Sequence, residues 1–129
     1  MKTREELDAL AKSIVDAAVK VHRELGPGLL ESTYQTCLAH ELRSRSIDVQ
    51  CEVALPVSYA EVRIEAGYRV DMLVGEAIIV ENKSVQSLLP IHEAQLLTYL
   101  KLSDCRIGFL VNWNVRLIKD GMKHMVNNL

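Results

Sequence analysis

Glu81 and Lys83 stand two residues apart at the end of the apolar run Ala77-Ile78-Ile79-Val80. A continuous apolar run of this length reads as a strand buried on both faces. Side chains alternate along a strand, so Glu81 and Lys83 share one face and Asn82 takes the other. A buried charge costs on the order of several kcal/mol unless it is paired or binds a metal. A third charge, Asp71, interrupts the stretch Tyr68-Arg69-Val70-Asp71-Met72-Leu73-Val74. Gly75-Glu76 reads as a tight turn, which makes the two strands antiparallel neighbours. Pairing about that turn sets Asp71 roughly across from the region just before Glu81. Two carboxylates held together repel, and a divalent cation such as Mg²⁺ relieves the repulsion. The residues alone leave a plainer reading open, in which Glu81 and Lys83 form an ion pair at a strand end and Asp71 caps a turn.

Two helices offer supporting groups. Gly28-Leu29-Leu30-Glu31-Ser32-Thr33-Tyr34 opens the first of them. Glu31 falls in its first turn, where the helix dipole favours an anion. Tyr34 follows three residues later on the same face and looks inward with Leu30 and Leu38. Glu31 is thus either a helix-stabilising acid or a further ligand, direct or through water. The second helix carries His92, Gln95 and Tyr99. Gln95 and Tyr99 are four apart and stack on one face. They suit the holding of a carboxylate, water or phosphate, whereas a core-edge Tyr99 is the plainer alternative. His92 is a candidate for the edge of the site.

The elements that must position these residues follow from periodicity. Leu7, Leu10, Ile14, Ala17 or Ala18, Val21 and Leu25 form one helical stripe, with Thr3 and Glu6 as a capping box. Gly26-Pro27-Gly28 must end that helix. A second helix starts just after Gly28 and ends near Arg45, with Leu30, Tyr34, Cys37, Leu38 and Leu42 inside. Val49, Cys51, Val53 and Leu55 then alternate with Gln50, Glu52 and Ala54, which predicts a half-buried strand ending near Pro56. A turn is expected around Tyr59-Ala60-Glu61. Strands over residues 68–74 and 77–83, a helix over 90–102 and a strand over 107–112 follow. The tail from Arg116 has no clear pattern beyond a turn at Asp120-Gly121. The order helix, helix, three strands, helix, strand predicts one α/β domain over the whole chain.

Composition excludes several classes. The chain has 129 residues, 49% hydrophobic and 25% charged, with a formal net charge of −2. Such a chain buries enough apolar surface to fold without disulfide or zinc staples, and it is not a disordered polymer. The balance excludes a protein that coats nucleic acid by bulk charge. Three cysteines without a CxxC pair, and histidines without HxxxH spacing, argue for free thiols and against zinc. No signal-peptide pattern and no apolar run of membrane-spanning length occurs, so a cytoplasmic protein without membrane contact is expected.

The sequence resembles the GxxExxY family, a branch of the PD-(D/E)XK nuclease superfamily. The resemblance is carried by Gly28-Leu29-Leu30-Glu31-Ser32-Thr33-Tyr34, by Gly67-Tyr68-Arg69-Val70-Asp71, by Val80-Glu81-Asn82-Lys83 and by His92-Glu93-Ala94-Gln95-Leu96-Leu97-Thr98-Tyr99-Leu100. It covers residues 15–121. Gln95 and Tyr99 also resemble the QxxxY motif of RecB-like nucleases. Two positions depart from the pattern: Asn82 stands where an apolar residue is usual, and Val70 precedes Asp71 where the superfamily's name has proline. The resemblance implies a restriction-endonuclease-like core, a mixed four-stranded sheet flanked by helices. It implies Asp71 and Glu81 as ligands of Mg²⁺ or Mn²⁺, with the Asn82 backbone carbonyl, and Glu31 as an outer or second-metal ligand. Lys83 would position the attacking water or stabilise the transition state, with Gln95 and Tyr99 as orienting groups. The implied activity is phosphodiester hydrolysis of DNA or RNA. The rival is a nuclease-fold binding or regulatory module without useful catalysis, acting with a protein partner or as a homo-oligomer. A hydrolase of small phosphate esters is a third reading, against which stands the lack of a Gly-rich phosphate loop. Setting aside Glu31, Asp71, Glu81 and Lys83 leaves acids and bases equal in number. Attraction to a polyanion would then depend on bound metal, local basic residues or a partner.

Overall fold

A computed structural model describes residues 1–129, apart from the side chain of residue 66. The first helix, α1 (Arg4–Leu25), begins as its sequence dictates. Thr3 Oγ1 accepts from the Glu6 amide at 3.1 Å, and Glu6 Oε1 accepts from the Thr3 amide at 3.0 Å. It ends at Gly26, whose φ of +68° lies in the region that side chains disfavour. The second helix, α2 (Glu31–Ser44), packs beside it. The loop between them is clasped by Tyr34, which is fully buried. Its hydroxyl donates to the Gly26 carbonyl and accepts from the Leu29 amide at 3.1 Å. Tyr34 therefore fixes where α2 begins, and with it Glu31.

Strands β1 (Val49–Tyr59), β2 (Val62–Val74) and β3 (Ile78–Lys83) form an antiparallel meander. Gly75 and Glu76 join β2 to β3 with φ of +58° and +57°, the conformation of a two-residue turn that matches strand twist. Helix α3 (Pro90–Ser103) then crosses over to β4 (Ile107–Asn112), which runs parallel to β3. A 3₁₀ turn at Ile118–Gly121 leads into β5 (Met122–Val126), antiparallel to β4. The sheet is therefore mixed, in the order β1-β2-β3-β4-β5. Helices α1 and α2 cover one face around Ile14, Leu38, Met72, Val80 and Trp113. Helix α3 covers the other around Ile79, Leu96, Leu100 and Leu110. All residues of β4 are buried, as are the first five of β3, which explains their unbroken apolar sequence.

The α/β class and the flanked mixed sheet match the expectation, but three details are corrected. The sheet has five strands rather than four, because the tail adds β5. Its partly buried residues, Met122 and Met125, lie three apart, so no period of two marked it as a strand. The first hairpin is longer than expected. β1 runs through Pro56 to Tyr59, and β2 starts at Val62. Pro56 is tolerated because β1 is an edge strand and the register shifts between Leu55 and Val57. Finally, the alternating residues of β1 do not share one face. Val49 and Cys51 pack with α1 and α2, whereas Val53 and Leu55 pack with α3. The switch falls at Glu52, whose φ is +55°.

The end of β4 is tightly enclosed. A Cβ at Gly121 would lie 2.1 Å from the Asn112 carbonyl oxygen. That contact is with backbone and cannot be relieved by a rotamer change. Gly121→Ala is expected to destabilise the chain by about 2 kcal/mol or more. An unchanged urea midpoint would show that the turn moves freely.

Candidate active site

The register places Asp71 and Glu81 together. The last paired residues of β2 and β3 are Met72 and Val80, and the next step would join Asp71 to Glu81. There the side chains take over from the ladder. The Asp71 amide donates to Glu81 Oε1 at 3.1 Å, and the Asn82 amide donates to Asp71 Oδ2 at 2.8 Å. On the other side of β2 the ladder skips the same residue: Cys51 pairs with Met72 and Val53 with Val70, but Glu52 and Asp71 do not pair. Asp71 thus sits where β2 parts from both neighbours. The site lies at the carboxyl end of β3, beside the parallel strand β4, where ligands of α/β sheets commonly bind.

Burial gives the pair unusual electrostatics. Glu81 is 6% exposed and Asp71 is half-buried. Burial pushes the Glu81 carboxyl up to about 8, and the neighbouring Asp71 charge pushes it further in the same direction. Burial also raises Asp71, against the lowering effect of the Asn82 amide. The two carboxyls therefore hold one proton between them near neutral pH. Lys83 lies two residues on, on the face that Ile79 and Glu81 share with α3. It enters none of the ion pairs found among the described residues.

Asn82 faces the opposite way, into the α1–α2 core, and is 1% exposed. Its Oδ1 accepts from Trp113 Nε1 at 2.9 Å, and its Nδ2 donates to Met72 Sδ at 3.2 Å and Gln35 Oε1 at 3.5 Å. An apolar residue could not make these bonds. The residue's amide points at Asp71, and the amide and carbonyl of one strand residue point to the same side. The Asn82 carbonyl is thus directed toward the parted edge of β2. Trp113 is fully buried and stacks on Tyr34 with ring centroids 4.8 Å apart and planes 5° apart. Its carbonyl contacts His22 Nε2 at 3.1 Å. Asn112, 3% exposed, ties the end of β4 to the loop after β3, accepting from the Val85 amide at 3.1 Å and donating to the Val85 carbonyl at 3.0 Å.

A cleft of about 580 Å³ opens between α2 and the sheet, lined by Glu31, Gln35, Glu52, Asp71 and Ser84 among others. Glu31 faces Asp71 across this space and accepts from the Ser84 amide at 3.3 Å. Gln35 Nε2 donates to Glu52 Oε1 at 3.2 Å. No group of three or more His, Cys, Asp or Glu is gathered closely enough to hold one ion among the described residues. Asp71 and Glu81 meet directly, while Glu31 stands apart. Tyr34 is in the core as the loop clasp rather than in the cleft. Tyr99 packs with Ile79 on the α3 side of β3, and burial, then the Glu81 charge, raises its phenol. Gln95 is exposed and lines a groove with Tyr99. His92 Nδ1 accepts from the Leu89 amide at 3.0 Å and so caps α3. The structure adds Gln35, Glu52, Asn112 and Trp113, which sequence reasoning had not singled out. Only Gln35 left a trace, four residues after Glu31 on one helical face.

The sequence matches the family model of the PD-(D/E)XK nuclease superfamily over residues 8–125. The chain belongs to that superfamily. No curated protein and no solved structure matches it. The mixed sheet flanked by helices agrees with that membership. No helix among the described residues is long and apolar enough to cross a membrane.

Proposed function

We propose that the chain is a divalent-metal-dependent nuclease of the GxxExxY kind, cleaving phosphodiester bonds of DNA or RNA. The observation that carries this reading is that Asp71 and Glu81 come together where β2 leaves the sheet, each carboxylate accepting a backbone amide of the other strand, with Lys83 on the same face as Glu81. The donor set fits Mg²⁺ or Mn²⁺. Carboxylate oxygens are hard ligands, and Mg²⁺ typically takes one or two carboxylates while keeping waters and substrate oxygens. Asp71 and Glu81 would hold the ion with the Asn82 carbonyl, and Glu31 would reach it through water. A bound divalent ion lowers the pKa of its water and stabilises charge on a phosphoryl group.

The chain's own residues would do the rest. Glu81 gives up the shared proton and, with Asp71, presents two anionic oxygens. Lys83 holds its ammonium on the face where the phosphate must lie and offsets developing negative charge. Tyr99 and Gln95 donate hydrogen bonds from α3 to the phosphate or its attacking water. Asn82, held by Trp113, keeps Glu81 and Lys83 on one side of β3.

The test is cleavage of single- and double-stranded DNA and RNA with Mg²⁺ or Mn²⁺. Asp71→Ala and Lys83→Ala are each expected to lower the rate by about a hundredfold or more, the scale of losing a charge-stabilising group. Equal activity in the parent and both variants removes the assignment. Neither substitution empties the core, since Asp71 and Lys83 are only half-buried.

A further inference from the structure

We infer that the groove between α3 and the β1–β2 hairpin receives one unpaired nucleobase, so that the substrate strand is single-stranded where it enters the site. This rests on the nuclease reading and names its substrate class. The groove has a volume of about 440 Å³ and is lined by Val57 and Tyr68 of the hairpin and by Ile91, Gln95, Thr98 and Tyr99 of α3, among others. None of its lining residues is charged. It offers two phenols, one amide and one hydroxyl among aliphatic groups. A phosphate finds no cation there. A flat, uncharged heterocycle with hydrogen-bonding edges matches each of these groups.

The position selects the same occupant. Tyr99 and Gln95 line the groove, and Tyr99 packs in one cluster with Ile79 of the strand that carries Glu81. Lys83 and Glu81 lie on the α3 face of β3 by strand alternation, and Tyr68 adjoins the same α3 face with its ring centroid 6.2 Å from that of Tyr99. This face therefore presents the Lys83 cation and the Glu81 carboxylate, then two aromatic rings. One nucleotide needs those groups in that order, first for its phosphate and then for its base. Tyr68 is 52% exposed, with its ring tilted 51° from Tyr99, so it is open to stacking. The chief competitor for the groove is a second copy of the chain, because Tyr59, Val62 and Ile64 extend exposed apolar surface along the hairpin. The amide and hydroxyl of Gln95 and Thr98, and the face shared with Lys83 and Glu81, favour the base.

The test is binding in EDTA, where cleavage plays no part. Fluorescence anisotropy compares a short labelled single strand, the same strand with abasic residues, and a duplex. The chain is expected to prefer the base-bearing single strand. Tyr68→Ala should weaken that binding about fivefold or more, the scale of one lost base stack. Tyr68→Phe keeps the ring and should retain binding. Tyr59→Ala, at the hairpin tip outside the groove, should also retain it. Equal binding of base-bearing and abasic strands overturns the inference, as does no effect of Tyr68→Ala. A dimer in sedimentation that Tyr68→Ala dissociates also overturns it, because a second copy then fills the groove. Base-selective binding without metal-dependent cleavage would leave the groove assignment standing and remove the nuclease reading. Cleavage without base selectivity would do the reverse.

Discussion

Glu81→Gln is expected to stabilise the metal-free chain at about pH 8 while abolishing cleavage and tight divalent binding. The reason is the raised pKa of Glu81, about 8 in the folded chain against an ordinary value of 4.5. Between those values the folded chain keeps a proton that the unfolded chain releases. Its contribution is complete below the unfolded value and is lost as pH rises through the folded one. Each pH unit in that window corresponds to about 1.4 kcal/mol per proton, so a few kcal/mol are at stake. Glutamine stays neutral throughout and still offers Oε1 to the Asp71 amide. Urea denaturation in EDTA should show the parent weakening from about pH 5 to about pH 8 and the variant holding nearly level. A pH-independent parent in that window would mean that the pair shares no proton.

The same proton couples to metal. A divalent ion binding between Asp71 and Glu81 must displace it, so metal binding should release protons near neutral pH and strengthen as pH rises toward 8. Low-affinity sites at the surface would show neither effect. The arrangement is costly to folding: two acids are held together out of water where an apolar pair would pack more cheaply.

Trp113→Ala is the second large expectation. Trp113 is fully buried, packed on Tyr34 and bonded to Asn82. Truncating such a residue should cost about 3–5 kcal/mol. Trp113→Phe keeps the stack but leaves Asn82 Oδ1 without its indole donor, a smaller loss of about 1–3 kcal/mol. Its effect on divalent affinity is the more informative reading. If Asn82 holds Glu81 and Lys83 in place, affinity should fall in Trp113→Phe even under conditions where the chain stays fully folded. Calorimetry at a temperature below both melting transitions separates the two effects. Unchanged affinity would make the Trp113–Asn82 bond purely a packing feature.

Local physics made much of this legible from sequence. The capping box at Thr3 and Glu6, the stop at Gly26-Pro27-Gly28 and the turn at Gly75-Glu76 depend on neighbours within a few residues, and all stand as read. The burial of β3 was legible because a strand covered on both faces must be apolar throughout, so a terminal Glu-Asn-Lys is conspicuous. Antiparallel pairing about a two-residue turn set Asp71 roughly across from the residue before Glu81, and the observed register, one residue further on, brings it to Glu81 itself.

What tertiary structure alone decided lies between segments distant in the chain. β5 carries no periodic signal, because its partly buried residues, Met122 and Met125, lie three apart. The face switch at Glu52 comes from a single backbone angle, and a period of two looks the same on either side of it. Tyr34 reads as inward from its helical face, yet its role as loop clasp depends on where the Gly26 carbonyl falls. Asn82 looked like a departure from an apolar position. Only the approach of Trp113, 31 residues later, supplies the donor that makes a buried amide favourable there. The sequence determined which acids and which lysine share a strand end, since alternation and turn geometry are local. The structure decided what holds them there, since hydrogen bonds between remote segments follow from packing and leave no spacing to read.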